Sequence, residues 1–125
     1  MIYIANTPQA MSELLEDGFY AREFRCKCRK CSMTMIHEFG LHLLTVLRTL
    51  SSMPIVFHSA YRCPSHNSSP AVNGAEMSYH IRGMAWDIRL PADESDRLRL
   101  IKLCQIIFPH SYVGEGFIHV DIRGF

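Results

Sequence analysis

Ser78-Tyr79-His80-Ile81-Arg82-Gly83-Met84-Ala85-Trp86-Asp87-Ile88-Arg89 is the stretch that decides the fold. Its second half alternates. Met84, Trp86 and Ile88 share one face of an extended segment, and Ala85, Asp87 and Arg89 share the other. That period of two predicts a strand over residues 84–89, and Gly83 supplies a bend between His80 and the strand. The end of the chain repeats the pattern over 117–122. There Ile118, Val120 and Ile122 face one way, and Phe117, His119 and Asp121 face the other. A third short strand, rich in β-formers, is expected over 55–59.

Helical periods lie between and before these strands. Ile36, Phe39, Leu43, Val46, Leu47 and Leu50 recur at three- and four-residue steps, which predicts a helix over 34–50 with Thr34 as its cap. A second helix is expected from Ser95 or Asp96 to Phe108, closed by Pro109. Thr7-Pro8 announces a short helix over 10–16 that Gly18 ends. Residues 23–31 and 62–78 show neither period and are expected as loops. The order of elements predicts an α+β domain, a small and mainly antiparallel sheet with helices packed on it.

The chain has 125 residues, the length of one domain, with residues 1–22 expected as an N-terminal extension within it. Thirteen basic residues against 12 acidic give a net charge of +1, so neither nucleic acid nor an anionic membrane is expected as a partner. No apolar run reaches the roughly 18–20 residues of a membrane span, and no basic leader precedes one. A monomer, cytoplasmic as synthesised, is expected.

His80, Asp87 and His119 carry the chemistry. Each of the two strands bears a polar, metal-competent side chain where a half-buried strand could be apolar. Two imidazoles and a carboxylate suit a catalytic zinc, because three protein ligands leave a fourth position for water. Zinc brings the pKa of such water to about 7.

The full pattern S-x-H-x-x-G-x-A-x-D runs from Ser78 to Asp87. Upstream stands Ser59-Ala60-Tyr61-Arg62-Cys63-Pro64, followed by His66-Asn67. Downstream stands Gly116-Phe117-Ile118-His119-Val120-Asp121-Ile122-Arg123-Gly124. Together, over about residues 20–125, these segments resemble the zinc D-Ala-D-Ala carboxypeptidases and endopeptidases. Those enzymes cut peptidoglycan stem peptides and share their fold with the hedgehog signalling domain. The resemblance implies a hedgehog/DD-peptidase-like fold, zinc on His80, Asp87 and His119, and a stem peptide as partner. It implies substrate contact by Arg62, with Tyr61 and Ser78 beside it. The chemistry agrees for Arg62, whose planar fork of donors suits a carboxylate or a polarised carbonyl. A compact enzyme of this kind without a leader fits a phage endolysin, a virion component or a bacterial wall enzyme. The same fold can also hold zinc as a binding module that cuts nothing.

The general base departs from the family pattern. Many relatives carry an acidic residue three positions before the last ligand; here that position is Gly116. Glu115, one residue earlier, shares strand parity with Phe117, His119 and Asp121, and is expected to reach the metal-bound water. A bulge at Gly114 or Gly116 would spoil that parity. Asp121 is the rival base, or else hydrogen-bonds a ligand histidine or an arginine. His66 and His110 are further candidates.

Five cysteines without a leader fit metal binding or plain thiols better than a disulfide scaffold. Cys26, Cys28, Cys31 and Cys63 suit a closed structural zinc, and disulfides or free thiols remain open at this point. Cys104 lies in an apolar helix and is expected in the core. His37, His42 and His58 are expected to meet solvent or make local hydrogen bonds.

Overall fold

The computed structural model describes residues 2–15, 18–28, 30–31, 33–75 and 78–125. The chain opens on β1 (Ile2–Ala5), which pairs antiparallel with β2 (Thr34–His37) in a register from Ile2 opposite His37 to Ala5 opposite Thr34. Between them lie α1 (Pro8–Met11) and one 3₁₀ turn, Ala21–Phe24. Then follow α2 (Glu38–Ser51), β3 (Phe57–Ser59), α3 (Pro64–Ser68), a second 3₁₀ turn at Tyr79–Arg82, β4 (Ala85–Arg89), α4 (Glu94–Ile107), β5 (His110–Val113) and β6 (Phe117–Asp121). The four later strands form one antiparallel sheet in the order β3-β4-β6-β5. The α+β expectation holds. Among the described residues no helix is long and apolar enough to cross a membrane.

Alternation on β4 and β6 divides the molecule. Trp86, Ile88, Ile118 and Val120 enter the main core with Leu44 and Leu47 of α2 and Leu100 and Cys104 of α4. Burying one such large aliphatic side chain contributes about 1.5–3 kcal/mol. Asp87, His119 and Asp121 fall on the opposite face, yet they are buried too. A charged row held out of water is stable only when each group finds a partner.

Several expectations change. Residues 34–37 are strand, not the first turn of a helix. Thr34 and Ile36 are buried while Met35 and His37 are half-exposed, the alternation that β1 selects by pairing. Thr34 therefore caps nothing, and its hydroxyl donates to the Phe24 carbonyl at 2.7 Å. His37 is the cap of α2, its Nδ1 accepting from the Phe39 amide at 3.2 Å. The first helix is shorter than expected, with the Thr7 hydroxyl accepting from Ala10 N at 3.1 Å; Glu16 of that expectation lies outside the described residues. The expected loop 62–78 contains α3, which Cys63 caps through its sulfur and Pro64 begins. The strand β5 was not expected at all. α4 starts one residue before Ser95, capped by Asp93, whose Oδ2 accepts from Asp96 N at 3.0 Å.

Candidate active site

Register builds the site. Asp87 of β4 lies directly opposite His119 of β6, His119 lies opposite Tyr112 of β5, and Ser59 of β3 lies opposite Asp87. Four strands thus present one row: Ser59, Asp87, His119, Tyr112. His80 joins from the 3₁₀ turn before β4. Ser78 caps that turn, its Oγ accepting from His80 N at 3.2 Å. Gly83 ends it at φ +67°, and a Cβ there would stand 2.4 Å from the Met35 carbonyl oxygen. Only glycine takes this bend, because of both the backbone angle and the closeness of β2.

The ligand atoms converge. His80 Nε2 is 3.3 Å and His119 Nδ1 2.9 Å from Asp87 Oδ1, and one atom from each of the three residues falls within 4.8 Å of the others. Nitrogen or oxygen ligands about 2.0–2.1 Å from a tetrahedral zinc stand about 3.3–3.4 Å apart, so the set fits that ion. The far nitrogens are also spoken for. His80 Nδ1 donates to the Ala60 carbonyl at 2.6 Å, and His119 Nε2 donates to Asp121 Oδ2 at 2.8 Å. Those bonds leave His80 Nε2 and His119 Nδ1, both on the Asp87 side, as the nitrogens that would turn a lone pair to a metal, the arrangement that fixes the tautomer of a metal ligand.

Charges around the row are balanced by contact. Burial alone would raise the Asp87 carboxyl, but hydrogen bonds from His119 and His80 hold it well below the usual carboxylate range. Burial would lower His119, and its bonds to Asp87 and Asp121 outweigh that and raise it. Burial would likewise raise Asp121, and Arg123 and His119 bring it down.

Arg62 lines the same cavity, which measures about 430 Å³. Its Nε donates to Ser59 Oγ at 3.0 Å, one terminal nitrogen to Asn67 Oδ1 at 3.2 Å, and the other to Asp87 Oδ2 at 3.1 Å. The guanidinium is therefore first a brace for Asp87. Asn67 is buried and passes the brace on, its Nδ2 donating to the Ala75 carbonyl at 2.8 Å.

The structure brings His80, Asp87, His119, Arg62 and Ser78 to one cavity. It does not bring Glu115 there. The chain turns at Gly114-Glu115-Gly116 between β5 and β6, with Gly116 at φ +80°, so strand parity does not extend back from Phe117. Glu115 is exposed at the tip of that hairpin. Asp121 does not line the cavity either. It is fully buried behind His119, with Arg123 Nε and a terminal nitrogen donating to it at 2.9 and 2.7 Å. Of the two roles expected for it, the structure shows the hydrogen-bonding one. Tyr61 is buried on the side of the cysteines; burial first, then the sulfurs of Cys63 and Cys31, raise its hydroxyl. His110 lies outside the cavity, and His66 lines an adjoining pocket whose wall includes Arg62 and Asp87.

Three side chains escaped notice in the sequence. Tyr112 stacks on His119 with ring centroids 4.6 Å apart and planes at 16°, but its strand carried no strong pattern. Arg123 continues the alternation His119, Asp121, Arg123, which was the available signal. Asn67 stood in the motif without an assigned role.

The cysteines form a second cluster. One sulfur from each of Cys26, Cys28, Cys31 and Cys63 falls within 4.8 Å of the others, and all are free thiols. Amide N–H groups of Cys31 and Lys30 pull the Cys28 thiol down to about 6, while burial and the Cys28 sulfur push Cys31 up to about 12. Cys104 is buried in the core as expected.

A carboxylate and an imidazole in register on an antiparallel sheet, a second imidazole from the turn before it and an arginine beside them define a metal-dependent hydrolytic type of site. The family model of Peptidase M15 matches residues 17–121. The chain belongs to this family, the zinc D-Ala-D-Ala peptidases whose motifs it resembles. No match was found among curated proteins or among solved structures.

Proposed function

We propose that the chain is a zinc-dependent peptidase that cleaves peptidoglycan stem peptides, as a D-Ala-D-Ala carboxypeptidase or as an endopeptidase. The convergence of His80, Asp87 and His119 beside Arg62, in a chain of peptidase family M15, carries this reading. The cavity lies within the roughly 300–1,000 Å³ of small-ligand sites. Arg62 and Arg123 on its wall suit a peptide bearing carboxylates, and Tyr79 and Tyr112 offer apolar faces to its backbone.

Zinc held by His80, Asp87 and His119 would polarise the scissile carbonyl and make hydroxide available near neutral pH. The protein's own part is positional. His80 keeps its proton at Nδ1 on the Ala60 carbonyl, and His119 keeps its proton at Nε2 on Asp121. Arg62 holds Asp87 Oδ2, and its remaining N–H groups stabilise charge that develops on a carbonyl oxygen. The Tyr112 ring covers His119 and excludes water from that flank.

One observation favours a second reading, a module that binds the stem peptide without cutting it. Among the described residues lining the cavity, the only carboxylate is Asp87, which is itself a ligand. Mass spectrometry of cross-linked and uncross-linked stem peptides, incubated with zinc-loaded protein and with His119→Ala, separates the two. Loss of one alanine marks a carboxypeptidase, and cuts within the stem or release of cross-linked dimers mark an endopeptidase. No product from any peptide, with zinc bound and peptide retained, leaves the binding module.

A further inference from the structure

The four-cysteine cluster lies outside the cavity, but one of its members is the neighbour of Arg62. Cys28 Sγ is 3.5 Å from Cys31 Sγ and 3.9 Å from Cys63 Sγ. Four sulfurs each about 2.3 Å from one tetrahedral zinc stand about 3.8 Å apart. The observed spacing is thus that of a thiolate cage, and far from the roughly 2.05 Å of a sulfur–sulfur bond. Backbone amides point into the cage. Cys63 N donates to Cys26 Sγ at 3.3 Å, Lys30 N and Cys31 N each to Cys28 Sγ at 3.3 Å, and His66 N to Cys63 Sγ at 3.4 Å. Such N–H groups offset the negative charge of coordinated thiolates. Two remote segments meet here, residues 26–31 and the turn between β3 and α3. The first is also pinned to β3 by Lys27, whose Nζ donates to the Phe57 and His58 carbonyls at 3.0 Å each.

We propose that these four cysteines bind a structural zinc that clasps the 26–31 loop to the start of α3 and so fixes Arg62 in the active site. The path is short. Cys63 follows Arg62 in the chain and caps α3; α3 carries Asn67; Asn67 and Asp87 each take one terminal nitrogen of Arg62. Arg62 N also donates to the His80 carbonyl at 3.3 Å, which ties the same turn to a catalytic ligand. Losing the clasp frees the Cys63 end of this unit, and the brace on Asp87 loosens with it. The metal site stands on the cysteines alone; only its consequence for catalysis rests on the peptidase reading above.

The test uses the full chain and counts zinc by elemental analysis, with cadmium substitution to report thiolate ligation through its charge-transfer absorption. Wild-type protein is expected to hold two equivalents. His119→Ala is expected to hold one and keep the thiolate absorption, whereas Cys63→Ser loses it. Cys63→His, which restores a zinc ligand, is expected to recover the second ion. Amide exchange over residues 61–67 should quicken in Cys63→Ser and return to the wild-type rate in Cys63→His. Peptide cleavage should fall about tenfold or more in the first and recover in the second. One equivalent in wild type that disappears in His119→Ala overturns the metal site, as does an intact mass lowered by the hydrogens of a disulfide. A second ion whose loss leaves exchange over 61–67 unchanged overturns the clasp. One equivalent that survives His119→Ala keeps the cysteine site and overturns the catalytic-zinc reading instead.

Discussion

Asp121→Asn asks whether a buried carboxylate supports His119 as a metal ligand. Asp121 is fully buried and accepts four hydrogen bonds. Oδ2 takes His119 Nε2 at 2.8 Å and an Arg123 terminal nitrogen at 2.7 Å; Oδ1 takes Arg123 Nε at 2.9 Å and Arg123 N at 3.1 Å. An asparagine keeps one acceptor oxygen and places an NH₂ group where the other was. If the oxygen stays on Arg123 Nε and N, the NH₂ group meets His119 Nε2. The imidazole then has to move its proton to Nδ1, the nitrogen that faces Asp87, and the lone pair needed for a metal is gone. If the amide flips, its oxygen keeps the His119 proton at Nε2, but two Arg123 donors are left facing an NH₂ group, and in both arrangements the negative charge behind the ligand is gone. Either way a hydrogen bond to a charged group is lost, worth about 1.5–3 kcal/mol. At about 1.4 kcal/mol per decade, zinc affinity should fall about 10–100-fold, the range typical of partners behind a ligand histidine. Competitive titration with a chromophoric chelator measures this. Wild type and His119→Ala run in parallel, so that metal held by the cysteines is counted out. Circular dichroism shows whether the variant keeps its fold. A folded variant with zinc affinity within about twofold of wild type would refute the argument that the Asp121 carboxylate supports His119 as a metal ligand.

The exposed turn position of Glu115 predicts that Glu115→Gln changes stability by less than about 0.5 kcal/mol and leaves cleavage unchanged. Peptide turnover checks this, and a large fall in kcat with zinc affinity intact would make Glu115 the proton acceptor after all. Arg62→Lys keeps the charge but not the fork that reaches Ser59, Asn67 and Asp87 together, so zinc affinity and turnover should both drop about tenfold. Wild-type kinetics in that variant would show that Asp87 needs no brace. Burial pushes the Cys104 thiol up to about 12, so native protein should resist alkylation at this position and accept it once unfolded. Peptide mapping by mass spectrometry reads this, and rapid native labelling would place Cys104 outside the core.

The ligands and the strands that carry them were legible in the sequence by itself. Alternation around Trp86-Asp87-Ile88 and Ile118-His119-Val120 marks both which residues are extended and which face each side chain takes, because a strand's period is a local property. The end of α4 was nearly as plain, since a closing proline acts on its own neighbours, while its start, capped by Asp93, falls just before the expected Ser95 or Asp96. Partners distant in the chain were decided only by the tertiary structure. Residues 34–37 satisfy a helical and a strand pattern alike, and β1, some thirty residues away, makes them a strand. Glu115 has the right sequence spacing to join His119, but the hairpin that pairs Val113 with Ile118 turns it out to solvent. Asp121 reads as a candidate base until burial and Arg123 show it behind the ligand, as its anchor. The four cysteines carry no period, and only the packing of β3 against β4 and of the 26–31 loop against β3 brings Cys63 to the other three. Periodicity records how a segment meets its surroundings; which segment supplies those surroundings is set by register and packing across the whole chain.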